Sequence, residues 1–210
     1  TSNSVLQNDW ITSIKVDSIG NKWIGTYNGL IKFDGADWTV YKSSNSGLSH
    51  NQVLTLTIDT SENIWVGTSD GLVKFDRANW TEYKTSNSDL PHSWITSITI
   101  DNGGNKWIGT FYGLARYSNT NWAVFNTSNS ALPGNSIFTI VIDDEGCKWI
   151  GTSNGLVKYD GTDWVVFNTS NSGLPGNSIY AITIDAFGIK WIGTSYGLVK
   201  YDGTNWTVFN

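Results

Sequence analysis

The feature that most constrains this chain is an internal repeat, because the same 42-residue unit occurs five times without insertion or deletion. In register, the copies are 1–42, 43–84, 85–126, 127–168 and 169–210, and the last two agree at 32 of 42 positions. A single unit of a repeat protein cannot bury its own apolar surface, so neighbouring copies must supply the core. The sequence therefore predicts one domain over 1–210, built from five equivalent units.

Within a copy, apolar residues recur at every second position. In the fifth copy the alternating segments are SIYAITID, KWIGT, GLVKYD and WTVFN, separated by short connections rich in turn residues. This pattern predicts four short strands per copy. No segment repeats apolar residues at helical spacing for long enough to form a helix, so the fold class is all-β.

Four antiparallel strands in about 40–45 residues are typical of a blade of a β-propeller, whose radial closure protects the sheet edges. Five copies predict a five-bladed propeller. The chain ends Val-Phe-Asn and begins Thr-Ser-Asn-Ser, much as the internal junction at 166–170 reads Val-Phe-Asn-Thr-Ser. Each blade is then continuous in sequence, and we expect a closed monomer without strand exchange between the termini, in which the first blade packs against the fifth.

Charge and composition argue against several functions. The net charge of −5 disfavours nucleic acid as a partner, because phosphate binding needs clustered Lys and Arg and the 13 basic residues are spread over the copies. No stretch of 18 apolar residues occurs, so we expect no membrane insertion of this segment. Cys147 is the only cysteine and allows no internal disulfide. No cofactor is predicted.

The segment 185–198 reads Asp-x-x-Gly-x-x-Trp-Ile-Gly-Thr-x-x-Gly-Leu, and the copies share an Asn-Ser-x-Leu loop. With these motifs the chain resembles, over all 210 residues, the two-component regulator propeller repeats of bacterial sensor proteins. The resemblance implies that the first strand of each blade is innermost and the fourth outermost. It also implies signalling in an extracytoplasmic setting, periplasmic or secreted, where such arrays detect carbohydrate fragments. The streptogramin-inactivating lyases look like relatives built from similar repeats, and they provide the enzymatic alternative.

Eleven of the 42 positions are identical in all copies, and two of these are tryptophans. The second-strand set is predicted to fill the space between blades: Trp23, Trp65, Trp107, Trp149 and Trp191. The set that opens the fourth strand could form a sugar-stacking surface, but its strict repetition beside a turn favours packing: Trp38, Trp80, Trp122, Trp164 and Trp206.

An aspartate and two glycines are also invariant. The aspartates, Asp17 and its equivalents, stand where the first strand meets its turn, and we expect them to accept hydrogen bonds from the turn backbone. Calcium is the disfavoured alternative, because it takes six to eight oxygens and each copy supplies one carboxylate. Gly25 and Gly29 of the Gly-Thr-x-x-Gly-Leu motif precede a strand rather than open a helix, so they indicate a tight hairpin with positive φ and not a phosphate loop.

The most variable positions lie in two loops of each copy. We call the loop before the first strand the leading loop and the loop between the second and third strands the hairpin loop. In an up-and-down blade both lie at one end of the sheet, here called the loop end. Aromatic rings beside amides, hydroxyls and carboxylates suit a neutral polar ligand such as a glycan. The predicted ligand-binding residues, concentrated in the first three copies, are Trp10, Tyr27, His50, Asp70, His92, Trp94, Phe111, Tyr112 and Tyr196.

Two alternatives stay open at the loop end. Surface loops also vary without a function, and Trp10 and Trp94 could simply cover the blade tops. The near-identity of the blades also suits a structural or protein-interaction scaffold, with a protein as partner. A metal site at His50 and His92 is not predicted, because zinc would need both rings within about 2.1 Å together with further ligands. No acid–base set converges, so no catalytic residue is predicted and the chain is interpreted as a non-enzyme.

Overall fold

A computed structural model describes residues 5–6 and 10–209 of the chain. All regular structure in this described part is β-strand, as the alternation predicted, and it contains no helix that could cross a membrane. Residues 1–4 and 210, on which the argument for matching chain ends rests, lie outside the described part, as do Asn8 and Asp9 of the first leading loop.

Each copy forms one four-stranded antiparallel sheet whose strands pair in chain order, so the first and fourth strands form its two edges. The first two sheets comprise β1 (Ile11–Val16), β2 (Lys22–Thr26), β3 (Gly29–Phe33), β4 (Trp38–Tyr41), and β5 (Val53–Ile58), β6 (Ile64–Thr68), β7 (Gly71–Phe75), β8 (Trp80–Tyr83). The other three comprise β9 (Ile95–Ile100), β10 (Lys106–Thr110), β11 (Gly113–Ser118), β12 (Asn121–Phe125); β13 (Ile137–Ile142), β14 (Lys148–Thr152), β15 (Gly155–Tyr159), β16 (Trp164–Phe167); and β17 (Ile179–Ile184), β18 (Lys190–Thr194), β19 (Gly197–Tyr201), β20 (Trp206–Phe209). The strands predicted for the fifth copy are confirmed to within one residue at each end.

The chain divides into two compact units, Thr1–Ile98 and Thr99–Asn210, with the boundary inside β9. The first unit has an apolar core where its first and second sheets meet. The second unit has two such cores, one between the third and fourth sheets and one between the fourth and fifth. The predictions of a single domain and of packing between the first and fifth blades concern both units together, and they stay predictions.

The second-strand tryptophans lie in these cores. Trp23 packs in the cluster shared with the second sheet, Trp107 in the cluster shared with the fourth, and Trp149 in the cluster shared with the fifth. All three, and Trp65, are at most 2% exposed. The prediction that these indoles fill the space between neighbouring sheets is therefore confirmed for Trp23, Trp107 and Trp149, whereas Trp191 is only half-buried.

The fourth-strand tryptophans also pack rather than form an open surface. Trp80 stacks on Phe75 of its own sheet, with ring centroids 4.2 Å apart, and contacts Tyr41 of the preceding sheet. Gly47 lies so close that a Cβ there would overlap the Cβ of Trp80. Trp164 and Trp206 pack in the same way against their clusters, which favours the packing interpretation.

The two invariant glycines of the hairpin motif serve different purposes. Gly29 has a φ of 137°, and a Cβ there would lie 2.6 Å from the carbonyl oxygen of Tyr41, so the predicted hairpin role is confirmed. Gly25 does not have a positive φ, and for this residue the prediction was wrong. A Cβ at Gly25 would lie 2.7 Å from Cγ1 of Val53 in the next sheet, so Gly25 is needed for close approach of two sheets.

Candidate functional site

The leading loop and the hairpin loop meet at the same end of each sheet, as predicted. A hairpin-loop N–H donates to a leading-loop carbonyl in four of the sheets, at 3.0 to 3.1 Å. The donor and acceptor pairs are Tyr27 and Trp10, Ser69 and Gln52, Ser153 and Ser136, and Ser195 and Ser178. The invariant threonine holds the hairpin loop, since Thr26 Oγ1 donates to the Gly29 carbonyl and accepts from the Asn28 N–H. The two variable residues of each hairpin loop therefore sit on a rigid support.

In the first sheet this support carries an aromatic pair. The rings of Trp10 and Tyr27 stack with centroids 5.8 Å apart and planes inclined by 15°. Trp10 is 71% exposed and Tyr27 is 47% exposed. The pair therefore presents a preformed aromatic surface to solvent.

His50 of the second sheet forms hydrogen bonds to its own leading loop and to the hairpin loop of the same sheet. Its Nδ1 accepts the Gln52 N–H at 3.0 Å and lies 2.8 Å from the Ser69 hydroxyl. Because a backbone N–H can only donate, Nδ1 carries no proton, so the serine donates and the neutral ring holds its hydrogen on Nε2. His92 repeats the first of these bonds, with Nδ1 accepting the Trp94 N–H at 3.0 Å. Both rings thus use Nδ1 to shape the leading loop.

Asp70 is not an unpaired carboxylate. Its Oδ2 lies 2.9 Å from Lys84 Nζ, which also pairs with Glu82 at 3.0 Å. Hydrogen bonds to Asp70 and Glu82 raise the pKa of Lys84 above its ordinary value. Asp70 is therefore ion-paired within the second sheet, and it shares Lys84 with Glu82.

The leading loop of the third sheet lies against the second sheet. The Gly71 N–H donates to the Ser93 carbonyl at 2.7 Å, so the loop that bears His92 and Trp94 is held beside the second hairpin loop. Trp94 is half-buried there, whereas Trp10 is exposed. The first unit thus contains six of the nine predicted residues.

The second unit contains Phe111, Tyr112 and Tyr196. Phe111 is half-buried, whereas Tyr112 and Tyr196 are exposed. The Tyr196 ring lies over Gly176, where a Cβ would stand 2.6 Å from its Cδ2. A Cβ at Gly134 would likewise lie 2.8 Å from Ser153 Oγ, so both Gly-Asn-Ser leading loops are tightly packed on their own hairpin loops. The assignment of all nine residues to one ligand surface stays a prediction.

The opposite end of each sheet, which we call the turn end, repeats one arrangement that the sequence reasoning missed. The indole Nε1–H of each second-strand tryptophan donates to the aspartate six residues earlier, at 2.8 to 3.0 Å. The pairs are Trp23 and Asp17, Trp65 and Asp59, Trp107 and Asp101, Trp149 and Asp143, and Trp191 and Asp185. The predicted bonds to the turn backbone are also present, as from the Asn21 N–H to Asp17 at 2.8 Å. The constant six-residue spacing between the invariant aspartate and the invariant tryptophan could have predicted this hydrogen bond.

Asp17 carries an additional contact. Arg77, from the second sheet, lies 2.9 Å from Asp17 and 3.0 Å from Glu62, with its guanidinium over the Trp23 ring. Although burial opposes ionisation of Asp17, the hydrogen bonds from Trp23, Asn21 and Arg77 lower its pKa well below the ordinary range. Arg77 has a φ of 79°, at a position where three other copies place glycine.

A cavity of about 340 Å³ lies at the turn ends of the fourth and fifth sheets, away from the loop end. Its lining residues include Asp143, Glu145, Phe187 and Lys190. In the described part, Asp143, Glu145 and Cys147 bring potential metal ligands within 4.8 Å of one another. However, burial and the Asp143 carboxylate raise the pKa of the Cys147 thiol, and Asp143 already accepts the Trp149 indole. These features disfavour the thiolate that a metal would need.

Comparison with known proteins supports this description of the fold. Residues 47–70 match the family model described as two component regulator propeller. The extracellular domain of a hybrid two component system from B. thetaiotaomicron is similar over 100% of this chain, with 25% identity and a TM-score of 0.63, and the alignment covers 35% of that domain. A second such domain from the same organism gives 24% identity and a TM-score of 0.77, covering 95% of this chain and 28% of that one.

Virginiamycin B lyase from Staphylococcus aureus is also similar, with 16% identity and a TM-score of 0.79, covering 100% of this chain and 72% of the lyase. At that identity the likeness shows the fold alone. The sequence has no significant match among curated proteins. The predicted propeller class and the resemblance to two-component regulator propellers are confirmed, and this chain spans about a third of the length of the two extracellular domains.

Proposed function

We propose that this chain is a non-enzymatic propeller module that recognises a neutral polar ligand, such as a carbohydrate, outside the cytoplasm. The observation that carries the proposal is the exposed stack of Trp10 on Tyr27 at the loop end of the first sheet. The same two positions hold small polar residues in the fourth and fifth copies. An exposed aromatic pair on a rigid support is a suitable platform for the apolar face of a sugar ring.

The polar groups at the loop end of the second sheet suit a neutral ligand. Asp70 shares the Lys84 cation with Glu82, so its carboxylate is paired rather than free at the loop end of the second sheet. Ser69 and the His50 ring add hydrogen-bonding groups without a net charge in the tautomer that the backbone contact requires. Stacking would supply most of the affinity, and these polar groups would orient the ligand.

Signalling and the extracytoplasmic setting are proposed by analogy with the similar propellers. Two of them are extracellular domains of hybrid two component systems. Lyase chemistry is not favoured, because the two histidine rings use Nδ1 to hold their own loops. A role as a protein-interaction scaffold is the alternative.

A glycan-array screen of the whole chain, followed by calorimetry on the hits, tests the proposal. Trp10→Ala and Tyr27→Ala should each weaken binding about tenfold or more while the melting temperature stays nearly unchanged, because both side chains are exposed. A chelator should leave binding unaltered. Phe187→Ala is the matched control, since Phe187 is an exposed aromatic residue at the turn-end cavity.

Two results would contradict the proposal in different ways. If Phe187→Ala weakens binding and Trp10→Ala does not, the ligand occupies the turn-end cavity and the loop-end assignment is wrong. If the array gives no hit, ligand recognition is wrong for this class of ligand and the scaffold alternative is favoured.

A further inference from the structure

The cavity at the turn ends of the fourth and fifth sheets has two walls of opposite character. The β13–β14 turn supplies three carboxylates, and the β17–β18 turn supplies an apolar and aromatic wall. The lining residues concerned are Asp143, Asp144, Glu145, Ala186 and Phe187. Phe187 stands at the repeat position of Glu145, so the two residues border the cavity from equivalent places in neighbouring sheets. The cavity is formed entirely within the second compact unit.

Both turns are held in place by hydrogen bonds of their own. In the β13–β14 turn, Asp143 Oδ1 accepts the Cys147 N–H at 2.9 Å, and the Gly146 N–H donates to the Asp143 carbonyl at 2.9 Å. In the β17–β18 turn, Asp185 Oδ1 accepts the Phe187 N–H at 2.9 Å. The cavity is therefore preformed, and its volume of about 340 Å³ is within the usual range for sites that hold small molecules.

The lining of the cavity carries an excess of negative charge. Its three carboxylates stand against one lysine, Lys190, whose Nζ lies 3.8 Å from Asp143. Lys158 approaches Glu145 to 4.0 Å, and both Asp144 and Glu145 are exposed to solvent. A cleft lined by charges of one sign attracts ligands of the opposite sign. The cavity therefore favours an occupant that carries a positive charge.

In the first unit, the equivalent space is occupied by a cation of the chain itself. Arg77, from the turn that follows β7, lies 2.9 Å from Asp17 and 3.0 Å from Glu62. Its guanidinium lies 5.3 Å from the centre of the Trp23 ring. Arg77 thus bridges the turn ends of the first and second sheets with two ion pairs and a contact over an aromatic face.

The fifth sheet lacks this guanidinium. The residue equivalent to Arg77 is Gly203, which has no side chain. The equivalents of the two acidic residues that hold Arg77 are Asp143 and Gly188, and both line the cavity. Lys190 extends to the Asp143 side of this space. The cavity therefore corresponds to the space that the guanidinium fills in the first unit.

We propose that this cavity is a binding site for a small organic cation, a guanidinium or primary ammonium group on a short apolar stem. The cation pairs with Asp144 and Glu145 and lies against the ring of Phe187, whose face attracts positive charge. Its source is either a free amine or an Arg or Lys side chain of another molecule. The site lies at the turn end and is independent of the ligand proposed for the loop end.

Calorimetric titration of the whole chain with agmatine, a free guanidinium compound on an alkyl stem, tests the proposal. We expect a Kd on the order of 1 mM or lower. An acetylated and amidated Gly-Arg-Gly peptide tests the side-chain source. The same peptide with citrulline in place of arginine is neutral but of similar shape, and it should bind about tenfold more weakly or worse. Binding of agmatine without the arginine peptide assigns a free amine, and binding of the peptide assigns a side chain.

Substitutions at the two walls locate the site. Asp144→Asn and Glu145→Gln should each weaken agmatine binding about fivefold, and Phe187→Ala about threefold. The melting temperature should stay nearly unchanged, because all three side chains are exposed. Asp163→Asn is the matched control, since Asp163 is an exposed carboxylate in another turn of the fourth sheet, and it should bind agmatine like the wild type.

Gly203→Arg tests the comparison with the first unit. A guanidinium at this position should fill the cavity from within the chain and weaken agmatine binding about tenfold or more. Gly203→Asn is the control for the backbone, because Asn119 has a φ of 54° at the same position of the third sheet. This variant should bind agmatine like the wild type.

The proposal is overturned if agmatine and the arginine peptide both fail to bind, or if the citrulline peptide binds as tightly as the arginine peptide. It is also overturned if Asp163→Asn weakens binding as much as Glu145→Gln does. In that case the net negative charge of the chain, and not the cavity, would attract the cation.

Discussion

The two ends of each sheet differ in how much their side chains vary among the five copies. At the turn end, every copy keeps an aspartate that accepts the indole N–H of the second-strand tryptophan. At the loop end, the same backbone hydrogen bonds recur, but the side chains they support differ from copy to copy. The turn end and the contacts between sheets are therefore constrained by stability, whereas the side chains of the loop end vary without disturbing the fold.

The largest expected effect is at the contact between the third and fourth sheets. Trp107→Ala should lower the free energy of unfolding by about 3–5 kcal/mol, because it removes a buried aromatic side chain that packs between two sheets. Urea denaturation followed by circular dichroism measures the change. The matched control is Trp10→Ala at the loop end, where exposure of the indole predicts a loss below about 1 kcal/mol. Equal losses for the two variants would contradict the conclusion that contacts between sheets stabilise the fold more than side chains of the loop end do.

A smaller loss is expected at the turn end of the first sheet. Asp17→Asn should lower the free energy of unfolding by about 1–3 kcal/mol at neutral pH. The buried Asp17 carboxylate accepts hydrogen bonds from Trp23 and from the charged Arg77, and the substitution removes its negative charge. Because the pKa of Asp17 is lowered in the folded state, its ionisation stabilises the fold above about pH 4, and the contribution is lost as the pH falls below that value.

Melting temperatures from pH 7 down to pH 2 check this dependence. The decline below about pH 4 should be shallower in Asp17→Asn than in the wild type. Asp163→Asn, at an exposed turn, is the control and should follow the wild-type curve. An unchanged slope in Asp17→Asn would show that other carboxylates account for acid unfolding.

Arg77 departs from the glycine of the repeat, and its replacement tests whether its contacts offset the strain of its positive φ. Arg77→Gly restores the residue that three other copies use at a positive φ, and it removes the contacts with Asp17, Glu62 and Trp23. Arg77 pairs with the buried carboxylate of Asp17, and leaving that charge without its cation should cost more than the relief of backbone strain returns, so a net loss of about 1 kcal/mol is expected. Denaturation at low and high salt measures the difference, which should shrink as salt screens the pair. A more stable glycine variant would mean that the strain outweighs the contacts.

The smallest effect is expected at the loop end of the third sheet. Tyr112→Ala should change the free energy of unfolding by no more than about 0.5 kcal/mol, because the ring is 63% exposed. The same denaturation experiment checks it, with Trp107→Ala as the reference. A loss approaching that of Trp107 would place Tyr112 in the framework instead of on a recognition surface.

Much of the fold could be predicted because the repeat presents each position five times. Invariance of Trp107 among variable neighbours predicted its buried role, and apolar alternation predicted the strands. Contacts between residues distant along the chain were harder to predict. Gly25 was assigned to its own hairpin, whereas the structure shows that Val53 of the next sheet requires it. The half-burial of Trp94 escaped prediction because it depends on the neighbouring loop that Gly71 anchors.

The strands, their pairing within a sheet and the turn chemistry could be predicted from the sequence, since all of these depend on residues close together in the chain. The degree of burial at equivalent positions could not be predicted in the same way, because it depends on tertiary contacts. Leu156 and Leu198 both lie in the segment Gly-Leu-Val-Lys-Tyr-Asp-Gly-Thr, yet Leu156 is completely buried and Leu198 is 42% exposed. The fifth sheet covers Leu156. Identical local sequence therefore produces identical strands, and what each strand buries depends on the surface that packs against it.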